Sequence, residues 1–63
     1  MKTNIKVKFK DKTERVFDAN TFTFTNDGFC DLEFNEEDKS RLVACVSMDE
    51  IKYLRFMEVE EWL

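Results

Sequence analysis

Lys6, Lys8 and Lys10 recur at every second position, with Ile5, Val7 and Phe9 beside them. In an extended chain that spacing puts the ammonium groups on one face and the apolar groups on the other. Lys2, Lys12 and Arg15 flank the run. A row of cations can track phosphates, so Lys6, Lys8, Lys10, Lys12 and Arg15 are candidate nucleic-acid contacts. The same row also keeps an edge strand from pairing with another chain. The sequence pI near 4.7 favours that second reading, because nucleic-acid binders are usually basic.

The carboxylates form the opposite pole. Residues 1–17 carry a net charge of +4 and residues 18–63 a net charge of −8. Glu36, Glu37 and Asp38 stand together, and Glu58, Glu60 and Glu61 run into Trp62 and Leu63. Carboxylates draw a basic partner from a distance, and a Trp can bury itself in a partner's pocket. These eight residues are therefore the candidate protein-binding set.

Catalytic chemistry has little to work with. There is no His, the commonest general base and metal ligand. The sequence has no nucleophile elbow, no H-E-x-x-H, no EF-hand loop and no Gly-rich phosphate loop. Two Cys alone cannot complete the usual four-ligand zinc site. The expectation is a protein that is not an enzyme and holds no metal or cofactor. Cys30 and Cys45 read as reduced, buried small hydrophobes, with a redox pair as the sharper alternative.

The elements that position these residues follow from periodicity. Ile5–Phe9 alternates as a half-buried strand, Asp11-Lys12 turns the chain, and Thr13–Phe17 returns. The adjacent Val16 and Phe17 predict a bulge or strand end. After a short link at 18–20, Thr21–Thr25 alternates Thr with Phe. Asn26-Asp27-Gly28 then turns into Phe29–Phe34, with Cys30, Leu32 and Phe34 on one face. Asn35–Ser40 reads as a surface loop, and the apolar run in Arg41–Ser47 as a central strand covered on both faces. That spacing pairs Phe34 with Arg41, Leu32 with Val43, and Cys30 with Cys45; a shift of one residue would separate the thiols.

The last stretch has two readings. In one, Met48–Ile51 makes a helical turn and Lys52–Val59 a final strand. In the other, Ser47-Met48-Asp49-Glu50 caps a C-terminal helix. Tyr53, Phe56 and Val59 favour the strand. The expected core is Ile5, Val7, Phe9, Phe22, Phe24, Leu32, Phe34, Leu42, Ala44 and Val46.

Short strands joined by tight turns predict an all-β fold of five or six antiparallel strands, a small barrel or meander with at most one helical turn. The order of elements resembles SH3-like and Sm-like barrels, and that resemblance is architectural. The alternative is a β-meander ending in a helix.

Length and composition set the scale. The 63 residues are 43% hydrophobic with 7 Phe, which excludes a disordered polyampholyte and predicts one domain over 1–63. No apolar run approaches the roughly 18–20 residues that cross a bilayer, and the opening residues do not read as a secretory signal. A cytoplasmic protein is expected. Residues with AT-rich codons (Phe, Tyr, Met, Ile, Asn, Lys) number 24, against 6 with GC-rich codons (Gly, Ala, Arg, Pro). That bias points to a low-GC bacterium or its phage. Taken together, the residues predict a non-enzymatic binding module for a protein partner, such as a phage or mobile-element accessory protein or an inhibitor of a host factor. A nucleic-acid binder and a homo-oligomer subunit are the alternatives.

Overall fold

A computed structural model describes residues 2–59. The chain runs through β1 (Lys2–Phe9), β2 (Glu14–Phe17), β3 (Thr21–Phe24), β4 (Phe29–Glu36), β5 (Lys39–Ser47), a 3-10 turn η1 (Met48–Glu50) and β6 (Ile51–Val59). The strands form two antiparallel sheets of three, ordered β2-β1-β6 and β3-β4-β5. Below, these are the first and second sheets.

Each sheet is organised by its alternating central strand. Ile5 and Val7 of β1 and Cys30 and Leu32 of β4 are fully buried, and they meet in one cluster with Ala19. Phe9, Phe17, Phe22, Val43, Ala44, Val46, Ile51 and Leu54 pack around them. The Cα envelope is only 12 Å thick, close to the spacing of about 10 Å between two stacked sheets. So thin a body leaves few positions wholly buried.

The turns follow their residues. Gly28 takes φ +89, which a side chain would resist, and its carbonyl accepts from Met48 N at 2.9 Å. Lys10 N donates to Glu50 O at 2.8 Å. These two bonds tie η1 to the β3–β4 and β1–β2 turns as it passes the chain from one sheet to the other. Asn20 holds the link between β2 and β3. Its Oδ1 accepts from Asn35 N at 2.9 Å and its Nδ2 donates to Asn35 O at 2.8 Å. The side chain thus imitates a strand neighbour and extends the β4 pairing by one step.

Several expectations change. Neither sheet closes into a barrel among the described residues, because β5 and β6 each end a sheet and do not pair with each other. Residues 35–40 are not a loop: β4 and β5 run on until Glu36 pairs with Lys39, leaving only Glu37-Asp38 as the turn. All six of those side chains are exposed polar or charged groups beyond the core, and an antiparallel hairpin tolerates them on its solvent faces.

β5 is an edge strand, not a central one. The register matches the expectation at Phe34↔Arg41 and then slips, so that Leu32 pairs with Ala44 and Cys30 with Val46. Val43 is the extra residue. A bulge turns both Val43 and Ala44 toward the core, which explains an unbroken apolar run without burial on both faces. Leu42 is left 60% exposed. Phe24 is 52% exposed, since it ends the four-residue edge strand β3. The C-terminal stretch is the single turn and strand, not a helix.

Candidate functional site

The β1–β2 hairpin sorts the basic residues by strand parity. Lys6 pairs with Val16 and Lys8 with Glu14, on the outer face of the first sheet. Glu14 sits between the two ammonium groups: Lys6 Nζ lies 2.9 Å from its Oε2 and Lys8 Nζ 3.4 Å from its Oε1. Hydrogen bonds from Lys6 and then Lys8 hold the Glu14 carboxyl below its ordinary pKa. Lys8 Nζ also donates to Lys12 O at 3.2 Å. Arg15 pairs with Val7 and so projects to the other face, its guanidinium 5.3 Å from the centre of the Phe17 ring. Lys10 and Lys12 lie in the turn. The five candidate cations therefore fall on a face, a turn and the opposite face.

Within that turn, the Asp11 carboxylate accepts from Thr13 Oγ1 at 2.6 Å and Thr13 N at 3.0 Å. These bonds hold Asp11 below its ordinary pKa. Lys12 takes φ +77, a conformation that L-residues rarely adopt.

The acidic candidates divide as well. Glu36, Glu37 and Asp38 are exposed at the β4–β5 turn of the second sheet, and Glu37 has φ +25. Glu58 is exposed near the end of β6, in the first sheet. Glu60, Glu61, Trp62 and Leu63 lie outside the described residues.

The thiols do not meet. Asp31, not Cys30, is the partner of Cys45, so the two sulfurs are on opposite faces of the second sheet. Cys30 is buried and Cys45 exposed, which corrects the expectation that both are buried. The bulge at Val43 is the cause. Burial, more than the charge of Asp31, pushes the Cys30 thiol up. Cys45 is pushed up chiefly by donating a hydrogen bond to the Asp31 carboxylate.

Sequence reasoning missed an apolar groove. It is a shallow space of about 390 Å³ lined by Phe22, Phe24, Met48, Ile51, Lys52, Tyr53 and Leu54. β3 supplies one wall, and η1 with the start of β6 the other. The Phe22 ring meets Phe24 edge-on at 5.4 Å and Phe56 at 5.6 Å. Register explains the second wall. Tyr53 pairs with Lys8 but Ile51 with Phe9, so Lys52 is an extra residue that bends β6 at the groove. The sequence signal was the place of Phe24, last in a short strand, where a ring has a neighbour on only one side.

Among the described residues, no group of three or more His, Cys, Asp or Glu is placed to hold a metal ion. No described helix is long and apolar enough to cross a membrane. Comparison of the chain with protein-family models, curated proteins and solved structures finds no match.

Proposed function

We propose that the chain is a non-enzymatic binding module whose partner is a protein. The observation that carries this reading is the groove between β3 and β6. Phe24 and Tyr53 stay 52% and 44% exposed there, and Met48 joins them. Half-exposed aromatics beside a formed concavity are what a partner's side chain can desolvate against. Their exposure also means that the core holds together without fully covering them.

The wider setting supports a small-barrel module. Strand order β6-β1-β2 followed by β3-β4-β5, a sharp link at Ala19, and one 3-10 turn before the last strand parallel the SH3-like and Sm-like plan. Such frames carry many unrelated binding functions, so the plan supports the module and not its partner. The acidic turn Glu36-Glu37-Asp38, with Glu58 and the following Glu60 and Glu61, supplies charge that would steer a basic partner, and Trp62 and Leu63 add apolar contact. Small size and AT-rich residue usage suit a phage or mobile-element accessory protein, or an inhibitor of a host factor, in a bacterial cytoplasm.

The test is affinity capture from a low-GC bacterial lysate, read by mass spectrometry, with three baits in parallel. A partner held by the parent and by Lys6→Ala/Lys8→Ala, and lost from Phe24→Ala/Tyr53→Ala, supports the groove. Retention by the groove variant with loss from the lysine variant, together with a salt-sensitive shift of nucleic acid, replaces this reading with the nucleic-acid one.

A further inference from the structure

The edges of the two sheets differ in how they discourage pairing. β2 and β3 have four residues each. β5 is interrupted by its bulge at Val43 and starts with Lys39 and Arg41. Short edges, bulges and basic side chains all obstruct an incoming strand. β6 is different. It ends the first sheet, and from Tyr53 to Val59 it follows β1 without a register shift. Its outward N–H and C=O groups are therefore regularly spaced over that stretch.

Its charges are sorted along its length. Lys52 and Arg55 occupy the first half, Glu58 the second, and the sequence continues with Glu60 and Glu61. Arg55 and Glu58 are both exposed. A second β6 laid antiparallel about Phe56 would set the basic half of each copy beside the acidic half of the other. Arg55 and Glu58 lie on opposite faces of the strand, so the attraction acts along the seam and not through an Arg55–Glu58 ion pair. Laid parallel, it would set like beside like. Antiparallel strands related by a two-fold axis are also the arrangement that closes on two copies. With the axis near Phe56, the rings of Tyr53 and Phe56, 44% and 51% exposed in the single chain, flank the seam.

We propose that two copies of this chain associate through β6, edge to edge and antiparallel, into one six-stranded sheet ordered β2-β1-β6-β6-β1-β2. The pairing is selected by the opposed charges of its two halves. It shares Lys52 and Tyr53 with the partner groove, whose other wall, Phe22 and Phe24, belongs to β3.

Sedimentation velocity on the intact chain over a wide concentration range tests it. The parent should be a dimer that dissociates on dilution and with added salt. Lys52→Glu/Arg55→Glu makes the strand acidic throughout, and Glu58→Lys/Glu60→Lys/Glu61→Lys makes it basic throughout. Each variant alone should self-associate at least about tenfold more weakly, and an equimolar mixture should form the heterodimer. A parent that stays monomeric at every concentration overturns the proposal, as do variants that dimerise as tightly as the parent. Should either variant fail to fold, hydrogen exchange on the parent decides. The outward amides of 53–59, those not bonded to β1, should gain protection at high concentration only, and equal exchange at both concentrations rejects the seam. A parent that stays monomeric yet still captures its partner rejects this proposal and leaves the groove standing.

Discussion

The two sheets solve the same problem with opposite charge. β1 buries Ile5 and Val7 and turns Lys6 and Lys8 outward; β4 buries Cys30 and Leu32 and turns Asp31 and Glu33 outward. Their inner faces are interchangeable in kind, since both are apolar at period two. Their outer faces are not. On the first sheet a carboxylate bridges the lysines; on the second, Asp31 takes a hydrogen bond from a thiol. Central strands thus carry the fold, and what lies beside them decides what each face can meet.

The largest expected effect separates centre from edge. Ile5→Ala and Leu32→Ala should each cost about 2–5 kcal/mol, enough to unfold much of a domain at the low end of ordinary stability. Leu42→Ala, on the exposed edge, should stay within about 0.5 kcal/mol. Urea denaturation of the three variants measures the gap. A Leu42 variant as damaged as Leu32→Ala would return β5 to the interior.

Next is a contrast within one strand. Phe22 packs on the core and touches both Phe24 and Phe56, so Phe22→Ala should cost about 3 kcal/mol. Phe24 is half exposed and keeps the edge-on ring contact, so Phe24→Ala should cost about 1 kcal/mol. Equal losses would show that both rings belong to the core.

The thiols give a kinetic contrast between the faces of one sheet. In the folded protein an aqueous thiol reagent should label Cys45 and leave Cys30 protected until denaturant is added. Asp31→Ala removes the acceptor that raises Cys45, so labelling there should speed up at neutral pH. Fast labelling of both thiols in the folded state would contradict the β5 register.

The smallest effects sit in the β1–β2 hairpin. Glu14 and Asp11 are held below their ordinary values in the folded state. Each therefore adds stability that is present above the unfolded pKa and is lost as pH falls through the folded one. Glu14→Gln should lower stability slightly at neutral pH and flatten the acid limb below about pH 4.5, the ordinary Glu value, so that variant and parent converge at low pH. Lys12→Gly should raise stability by about 1 kcal/mol, because it removes a side chain from a left-handed position.

What was legible in the sequence follows the same division. Alternation placed Ile5, Val7, Cys30 and Leu32 correctly, because a central strand has neighbours on both sides and parity alone sets its burial. The turn at Gly28 was legible because a positive φ there needs a special residue. The edges were not. Leu42 and Phe24 obey the alternation as well as any core residue, yet their exposure depends on what lies beyond the strand, which period two does not encode. The bulge at Val43 was hidden in an apolar run, and it alone separates Cys30 from Cys45. The groove was illegible for the same reason: it forms between β3 and β6, about thirty positions apart in the chain.

The central claim is that the exposed aromatics of the groove serve contact and not the core. The most direct measurement takes both readouts on one variant, Phe24→Ala/Tyr53→Ala: its melting temperature and its capture of the protein partner. The account predicts a melt close to the parent's, with capture lost. A steep drop in melting temperature with capture retained would contradict it. It would return both rings to the core and move the interface to another face.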